Sequence, residues 1–268
     1  MHRRGLGGSD RGAVSRRTAS RSRRLPDVFA VGGRRPVMEA IRAGRARRVL
    51  LARGSHPTEG LRGVLDAAAE AGLRPEHVDR DAIDRLGVRD HQGVAALVAP
   101  PRELDDRAFA SLSFGPEALV VVLDGITDPQ NLGASARSAE AAGASLLVAR
   151  KRRAAPLTAA AVRASAGALL HVPVARVTNL SRSLEHLKDR GFFVVGLDQN
   201  APVNIYEASD PSWPLAVVVG AEDVGLSRLV RESCDLVVAI PMAGRTGSMN
   251  ASAALAAALF GYALRPAR

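Results

Sequence analysis

Hydrophobic positions along this chain fall into short uninterrupted runs, separated by longer segments in which apolar residues recur at helical spacing. The runs at 118–123, 145–149, 172–177, 192–197, 215–219 and 236–240 are rich in Val and Leu and close on Gly, Pro or a polar turn. Runs of this kind read as strands buried on both faces, the mark of a parallel sheet. Between them, 129–142, 157–166 and 180–190 carry the helical period, and an Ala-rich helix is predicted over 251–264. Strands alternating with helices of this length predict an α/β fold, a mostly parallel sheet covered on both faces.

An earlier stretch repeats the alternation on a smaller scale. Strands are predicted at 28–31, 49–52 and 93–98, with helices at 36–43, 58–71 and 81–86. That unit ends near Pro100-Pro101, and the polar, weakly patterned span 101–116 reads as a linker. Residues 1–24 mix Arg, Gly and Ser with almost no apolar content and are expected to be disordered. The plan is therefore a tail (1–24), a small α/β domain (25–100), a linker (101–116) and a larger α/β domain (117–268). A chain of 268 residues is long enough for two modest cores.

Composition narrows the functional classes. A hydrophobic content of 47% suits a globular protein, while 3% aromatics leave little for a base-stacking platform. The longest apolar stretch, 251–264, falls short of the roughly 20 residues that a membrane span needs. The N-terminal segment lacks a signal-peptide core, so a cytoplasmic location is expected. Cys234 is the single cysteine, which excludes an internal disulfide and a cysteine-built metal site. The net charge of +10 is concentrated in residues 1–24, which hold eight arginines against Asp10 and leave the rest near +3. A basic arm on a nearly neutral body points to a polyanion, with nucleic acid the natural partner. A solubilising tail is the plainer reading.

Candidate chemistry gathers at strand ends. The run 215–219 stops at Gly220-Ala221-Glu222-Asp223-Val224-Gly225, and 236–240 stops at Pro241-Met242-Ala243-Gly244. Ser248-Met249-Asn250 opens the last helix. Open α/β sheets bind ligands beyond the carboxyl ends of their strands. Backbone amides, small residues and a carboxylate suit a flat, partly apolar molecule better than a metal. After 118–123 comes Asp124-Gly125-Ile126-Thr127-Asp128-Pro129-Gln130-Asn131-Leu132-Gly133, with Arg137 further on. Asp128-Pro129 reads as an N-cap followed by proline at the first helical position. Taken singly, Arg137 is a surface arginine, Glu222 a loop carboxylate and residues 150–153 a charged loop. No Walker A or G-x-G-x-x-G sequence follows a predicted strand. The histidines show no metal-ligand spacing, and Ser135, Ser138 and Ser248 no His/Asp arrangement.

Together, the ordered blocks Asp-Gly-x-x-Asp-Pro-x-Asn-x-Gly-x-x-x-Arg, Gly-Ala-Glu-x-x-Gly and Ile-Pro-Met…Ser-x-Asn resemble the SpoU (TrmH-type) RNA ribose 2′-O-methyltransferases of the SPOUT superfamily. The first domain, with Gly32-Gly33-Arg34-Arg35-Pro36-Val37 and His91-Gln92-Gly93-Val94, is similar to the substrate-binding domain of the 23S rRNA guanosine branch, a small ribosomal-protein-like α/β fold. The resemblance implies a trefoil knot in the C-terminal segment, with S-adenosylmethionine held in it near Gly220, Ile240, Ser248 and Met249. It also implies Arg137 as the catalytic arginine, Asn131, Glu222 and Asn250 as further active-site positions, and a homodimer acting on large-subunit rRNA. Two departures stand out. Met249 replaces a usual Leu, a near-volume exchange, and Asp223-Val224 stands where the family commonly has Gly-Glu. The alternatives are a tRNA 2′-O-methyltransferase, a resistance enzyme acting on rRNA, and a non-catalytic RNA-binding protein. A mere binder has no need of the Asn131, Arg137, Glu222 and Asn250 set.

Overall fold

The computed structural model describes residues 28–56, 58–88, 90–244 and 248–263, and the basic segment 1–24 lies outside them. Two sheets organise what is described. In the first, β1 (Phe29–Gly32), β2 (Ala46–Ala52), β3 (Glu76–Val78) and β4 (Val94–Val98) lie in the order β1-β4-β2-β3. Strand β4 runs antiparallel to both neighbours, and β3 is parallel to β2. Helices α1 (Arg34–Arg42) and α2 (Glu59–Glu70) pack on each other, and the short α3 (Arg80–Asp84) sits near β2. The basic positions around α1 and β2 are partly neutralised within the chain. Arg42 pairs with Glu39 at 3.4 Å, and Arg48 grips Glu76 through two bonds of 2.7 and 2.6 Å.

The second sheet is wholly parallel. Its strands are β5 (Glu103–Leu104), β6 (Leu119–Asp124), β7 (Leu146–Arg150), β8 (Val174–Val177), β9 (Phe193–Leu197), β10 (Val203–Asn204), β11 (Leu215–Gly220) and β12 (Leu236–Ala239). Their order is β10-β12-β9-β11-β6-β7-β8-β5. Every residue of β6 and β11 is buried, which is why both read as unbroken apolar runs. From β6 the chain winds outward through β7 and β8, then returns to build β9, β11 and β12 on the other side. The winding reverses between β6 and β11, and such a switch point opens a crevice at the carboxyl ends of the strands. The register levels those ends, since Gly220 pairs with Asp124.

Helices α4 (Asp106–Ala110), α5 (Pro129–Ala141), α6 (Ala159–Ala164), α7 (Leu180–Lys188), α8 (Arg228–Glu232) and α9 (Ala251–Ala263) complete the domain, with a 3-10 turn at Ala168–Leu170. Helix α5 begins as its sequence suggests: Asp128 accepts from the Gln130 N–H at 3.0 Å and Pro129 is at the first turn. Gly133 lets α5 press against α6, because a Cβ there would lie 2.5 Å from that of Ala164.

The polar span 101–116 is more than a linker. It contains β5, paired with β8, and α4, capped by Asp105, which accepts from Ala108 N–H at 2.8 Å. Leu104 and Phe109 are buried in the same cluster as Val120 and Val122. These two, joined by the partly buried Leu112 and Phe114, dock an otherwise polar segment, and each fully buried apolar side chain contributes about 1.5–3 kcal/mol. The smaller unit is also packed on the larger. Val37 and Ile41 of α1 share a core cluster with Leu169, Gly167 leaves no room for a Cβ beside Glu39, and His171 Nε2 lies 3.1 Å from Glu39 Oε2.

Candidate active site

At the carboxyl ends of β9, β11 and β12 a cavity of about 150 Å³ is enclosed by three turns. One wall is apolar, made by Leu197, Val219, Val238, Ile240, Met242 and Met249; the other is the turn 220–225. Gly220 must be glycine here, since a Cβ would lie 2.1 Å from the carbonyl carbon of Gly225. The turn is closed by a short bridge between Ala221 and Gly225, whose N–H donates to Ala221 at 2.8 Å, and Gly225 has a φ of +67°. Asp223 and Val224 sit on this turn, where Val224 forms an exposed apolar lip on the cavity.

Three polar side chains from distant segments meet at the mouth. Asn131, in the first turn of α5, donates from Nδ2 to Glu222 Oε1 at 2.8 Å. Asn250 donates from Nδ2 both to Asn131 Oδ1, at 2.9 Å, and to Glu222 Oε1. Its own Oδ1 accepts from the Ser252 N–H at 2.9 Å, which caps α9. Each side chain therefore fixes the next, and Glu222 Oε1 takes a bond from each asparagine.

Behind this cluster a buried staple holds the turn. Asp124, at the end of β6 and 3% exposed, accepts from the Ser227 N–H at 2.7 Å and lies 3.0 Å from Arg150 Nη2. Arg150 also donates to Ser227 Oγ at 3.1 Å. The staple ties β6, β7 and the segment after β11 together, so that Glu222 is carried on a loop anchored at both ends.

Of the residues singled out from sequence, Gly220, Glu222, Ile240, Ser248 and Met249 line the cavity, and Asn131 and Asn250 join it through Glu222. Arg137 does not. It lies further along α5 on an exposed face, and makes no hydrogen bond or ion pair among the described residues. Sequence reasoning missed Asp198, Gln199 and Asn200, which follow β9 and line the cavity, with Asp198 held by the Arg231 guanidinium. Their signal was available, since they are a polar run at the carboxyl end of a buried strand. No cluster of His, Cys, Asp or Glu suited to a metal occurs among the described residues.

What these features define is an open α/β domain with a small-molecule cleft at its strand ends and an amide–carboxylate cluster guarding the mouth. Residues 118–260 match the SpoU rRNA methylase family, and residues 30–104 match the RNA 2′-O ribose methyltransferase substrate-binding family. The chain belongs to the SpoU rRNA methylase family. It is 43% identical over 245 residues to an uncharacterized tRNA/rRNA methyltransferase of Mycolicibacterium vanbaalenii, covering 90% of this chain and 78% of that one. Among solved structures, a crystal structure of an RNA 2′-O ribose methyltransferase aligns with a TM-score of 0.72 at 28% identity, covering 89% of this chain and 88% of the other. The SpoU methyltransferase AviRb of Streptomyces viridochromogenes, in complex with its cofactor AdoMet, aligns with a TM-score of 0.70 at 29% identity, covering 88% and 89%.

Proposed function

We propose that this protein transfers a methyl group from S-adenosylmethionine to a ribose 2′-hydroxyl of RNA, with a guanosine of large-subunit 23S rRNA as target. The observation that carries the reading is the Asn131–Glu222–Asn250 cluster at the mouth of a cavity that sets one apolar wall against a backbone turn. The residues present suit the cofactor. Gly220 clears space for a group against the backbone, the apolar wall of Ile240, Met242 and Met249 accepts an adenine face, and the turns offer amide and carbonyl partners. The residues that would hold it are Gly220, Ile240, Ser248 and Met249, joined by Leu197 and Asn200.

The cofactor, when bound, supplies an electrophilic methyl on a sulfonium. The chain's own tasks are to position the ribose and to stabilise the charge that develops on its 2′-oxygen as the hydroxyl proton passes to a phosphate oxygen of the RNA or to water. Arg137 takes the second task. A guanidinium stays protonated near neutral pH and presents a fork of N–H donors, so it acts as a charge stabiliser rather than a base. That assignment gives a purpose to a side chain with no partner inside the described chain. Asn131 and Asn250 orient Glu222 at the cavity mouth and so fix the loop that carries it.

In this reading the segment after β12 is threaded as a trefoil knot, and the active protein is a cytoplasmic homodimer. Helix α9 supports the dimer, being apolar almost all round with Phe260 39% exposed. No helix of the described residues is long and apolar enough to cross a membrane. Large-subunit rRNA is preferred over tRNA because the match to a substrate-binding family covers 30–104, and none of the residues lining the cavity comes from that unit. Incubating the full chain with methyl-labelled S-adenosylmethionine and either transcribed 23S rRNA or tRNA tests this. Label is expected in 23S rRNA, at one position that resists alkaline cleavage. Labelling of tRNA alone overturns the substrate assignment.

A further inference from the structure

Two strands along the sheet from β11, β7 ends in a turn bearing Lys151, Arg152 and Arg153, all exposed. None of the three forms an ion pair or hydrogen bond through its side chain among the described residues; Lys151 only senses the carboxylate of Asp106. Elsewhere several cations are matched, as Arg48 is by Glu76, Arg228 by Glu232 and Arg231 by Asp198. Three consecutive cations without a close partner repel one another, and a bound polyanion relieves that repulsion.

The backbone of this turn is firmly held. Lys151 N–H donates to Val177 at 2.8 Å, and Ala155 N–H donates to Ile126 at 2.8 Å. The buried Arg176 donates from Nη2 to the Ala155 carbonyl at 2.6 Å. Arg150 beneath is fastened to Asp124. Arg153 has a φ of +56°, a left-handed conformation that a residue with a Cβ adopts at some cost. The contact with Ile126 ties the turn to the very segment that leads into Asn131 and α5. Charges are thus displayed on a firmly held backbone that is tied to the segment leading into Asn131.

The geometry points to Lys151, Arg152 and Arg153 as the catalytic domain's grip on the phosphodiester strand carrying the target ribose. The inference rests on the RNA methyltransferase reading and goes beyond it, by locating where the substrate strand is held outside the small N-terminal unit. A single RNA strand is the occupant that fits. It offers consecutive phosphates to consecutive cations, and phosphate contacts set register on the protein without reading sequence.

The test uses the full chain and two measurements. Affinity for a single-stranded oligouridylate is followed by fluorescence anisotropy against salt concentration, and KM is determined for transcribed 23S rRNA. Each lost contact with a single strand removes about 0.7 from the log–log salt slope, so K151Q/R152Q/R153Q is expected to flatten it by about 2. The KM for rRNA should rise, with S-adenosylmethionine affinity unchanged. Arg153→Gly guards against misfolding, because glycine accepts the left-handed backbone readily. It is expected to lower the slope by about 0.7 with no fall in Tm. An unchanged slope in both variants overturns the proposal. If the wild-type chain binds oligouridylate with a steep slope yet methylates no RNA, the enzymatic reading falls while the slopes still decide the surface.

Discussion

The cavity mouth and the exposed cations of the same domain treat their polar groups in opposite ways. At the mouth, Asn131, Glu222 and Asn250 bond to one another, and Asp124 is closed off by Ser227 and Arg150. Arg137 of α5 and the cations after β7 are exposed and have no such hydrogen-bonded partners among the described residues. The contrast separates two kinds of recognition. A cofactor is the same molecule at every turnover, so the groups that meet it can be fixed in advance at no later cost. RNA arrives as a moving polyanion, and the side chains that meet it keep their donors free.

If that division is right, Arg137→Ala strikes the substrate side alone. The rate of methyl transfer is expected to fall by about 10²–10³, the loss typical of one missing oxyanion donor. S-adenosylmethionine affinity, measured by calorimetry, should stay near wild type. Arg137→Lys should also be poor, since a point charge does not reproduce the guanidinium fork. Normal turnover in either variant would return Arg137 to the role of a surface arginine.

Gly220→Ala strikes the other side. The new Cβ meets the Gly225 carbonyl at 2.1 Å, so the turn has to move. Overpacking of this kind costs about 1–3 kcal/mol, and calorimetry is expected to show cofactor binding lost. A variant that binds the cofactor normally would break the claim that the turn is pre-shaped.

A smaller effect sharpens the same comparison. Asp124→Ala leaves the Ser227 N–H buried without its acceptor, at a cost of about 1–3 kcal/mol. The lower end applies, because the Arg150 side chain is 39% exposed and water can replace its partner. Denaturant unfolding measures this loss, and cofactor affinity should fall with it as the loop bearing Glu222 loosens.

The smallest effect concerns Cys234, whose thiol burial pushes up to about 12. It should react with an alkylating reagent near neutral pH only when the protein is unfolded. Rapid labelling of the folded chain would mean that the packing of Cys234 against Gly196 opens readily.

The strands of the larger sheet were legible because burial on both faces writes an unbroken apolar run, as in 119–123 and 215–219. The cap at Asp128-Pro129 was legible for an equally local reason. Residues 101–116 were not, since Leu104 and Phe109 gain meaning only from Val120 and Val122, which lie outside their span. The same holds at the site. Sequence blocks named Asn131, Glu222 and Asn250, yet nothing in their spacing shows that one carboxylate oxygen takes bonds from both asparagines. The staple of Asp124, Arg150 and Ser227 joins three segments and left no local signature. The pairing of Arg42 with Glu39 and of Arg48 with Glu76 likewise needed the folded chain, since Arg48 and Glu76 come from different strands.

The most direct test of the central claim is the chemical identity of the product. The full chain is incubated with S-adenosylmethionine and 23S rRNA, and the RNA is digested to nucleosides for mass spectrometry. A single ribose-methylated nucleoside, 2′-O-methylguanosine, is expected, and it should be absent when Arg137→Ala replaces the wild-type protein. A methyl group on a base, or no methyl group from a chain that binds the cofactor, would contradict the account.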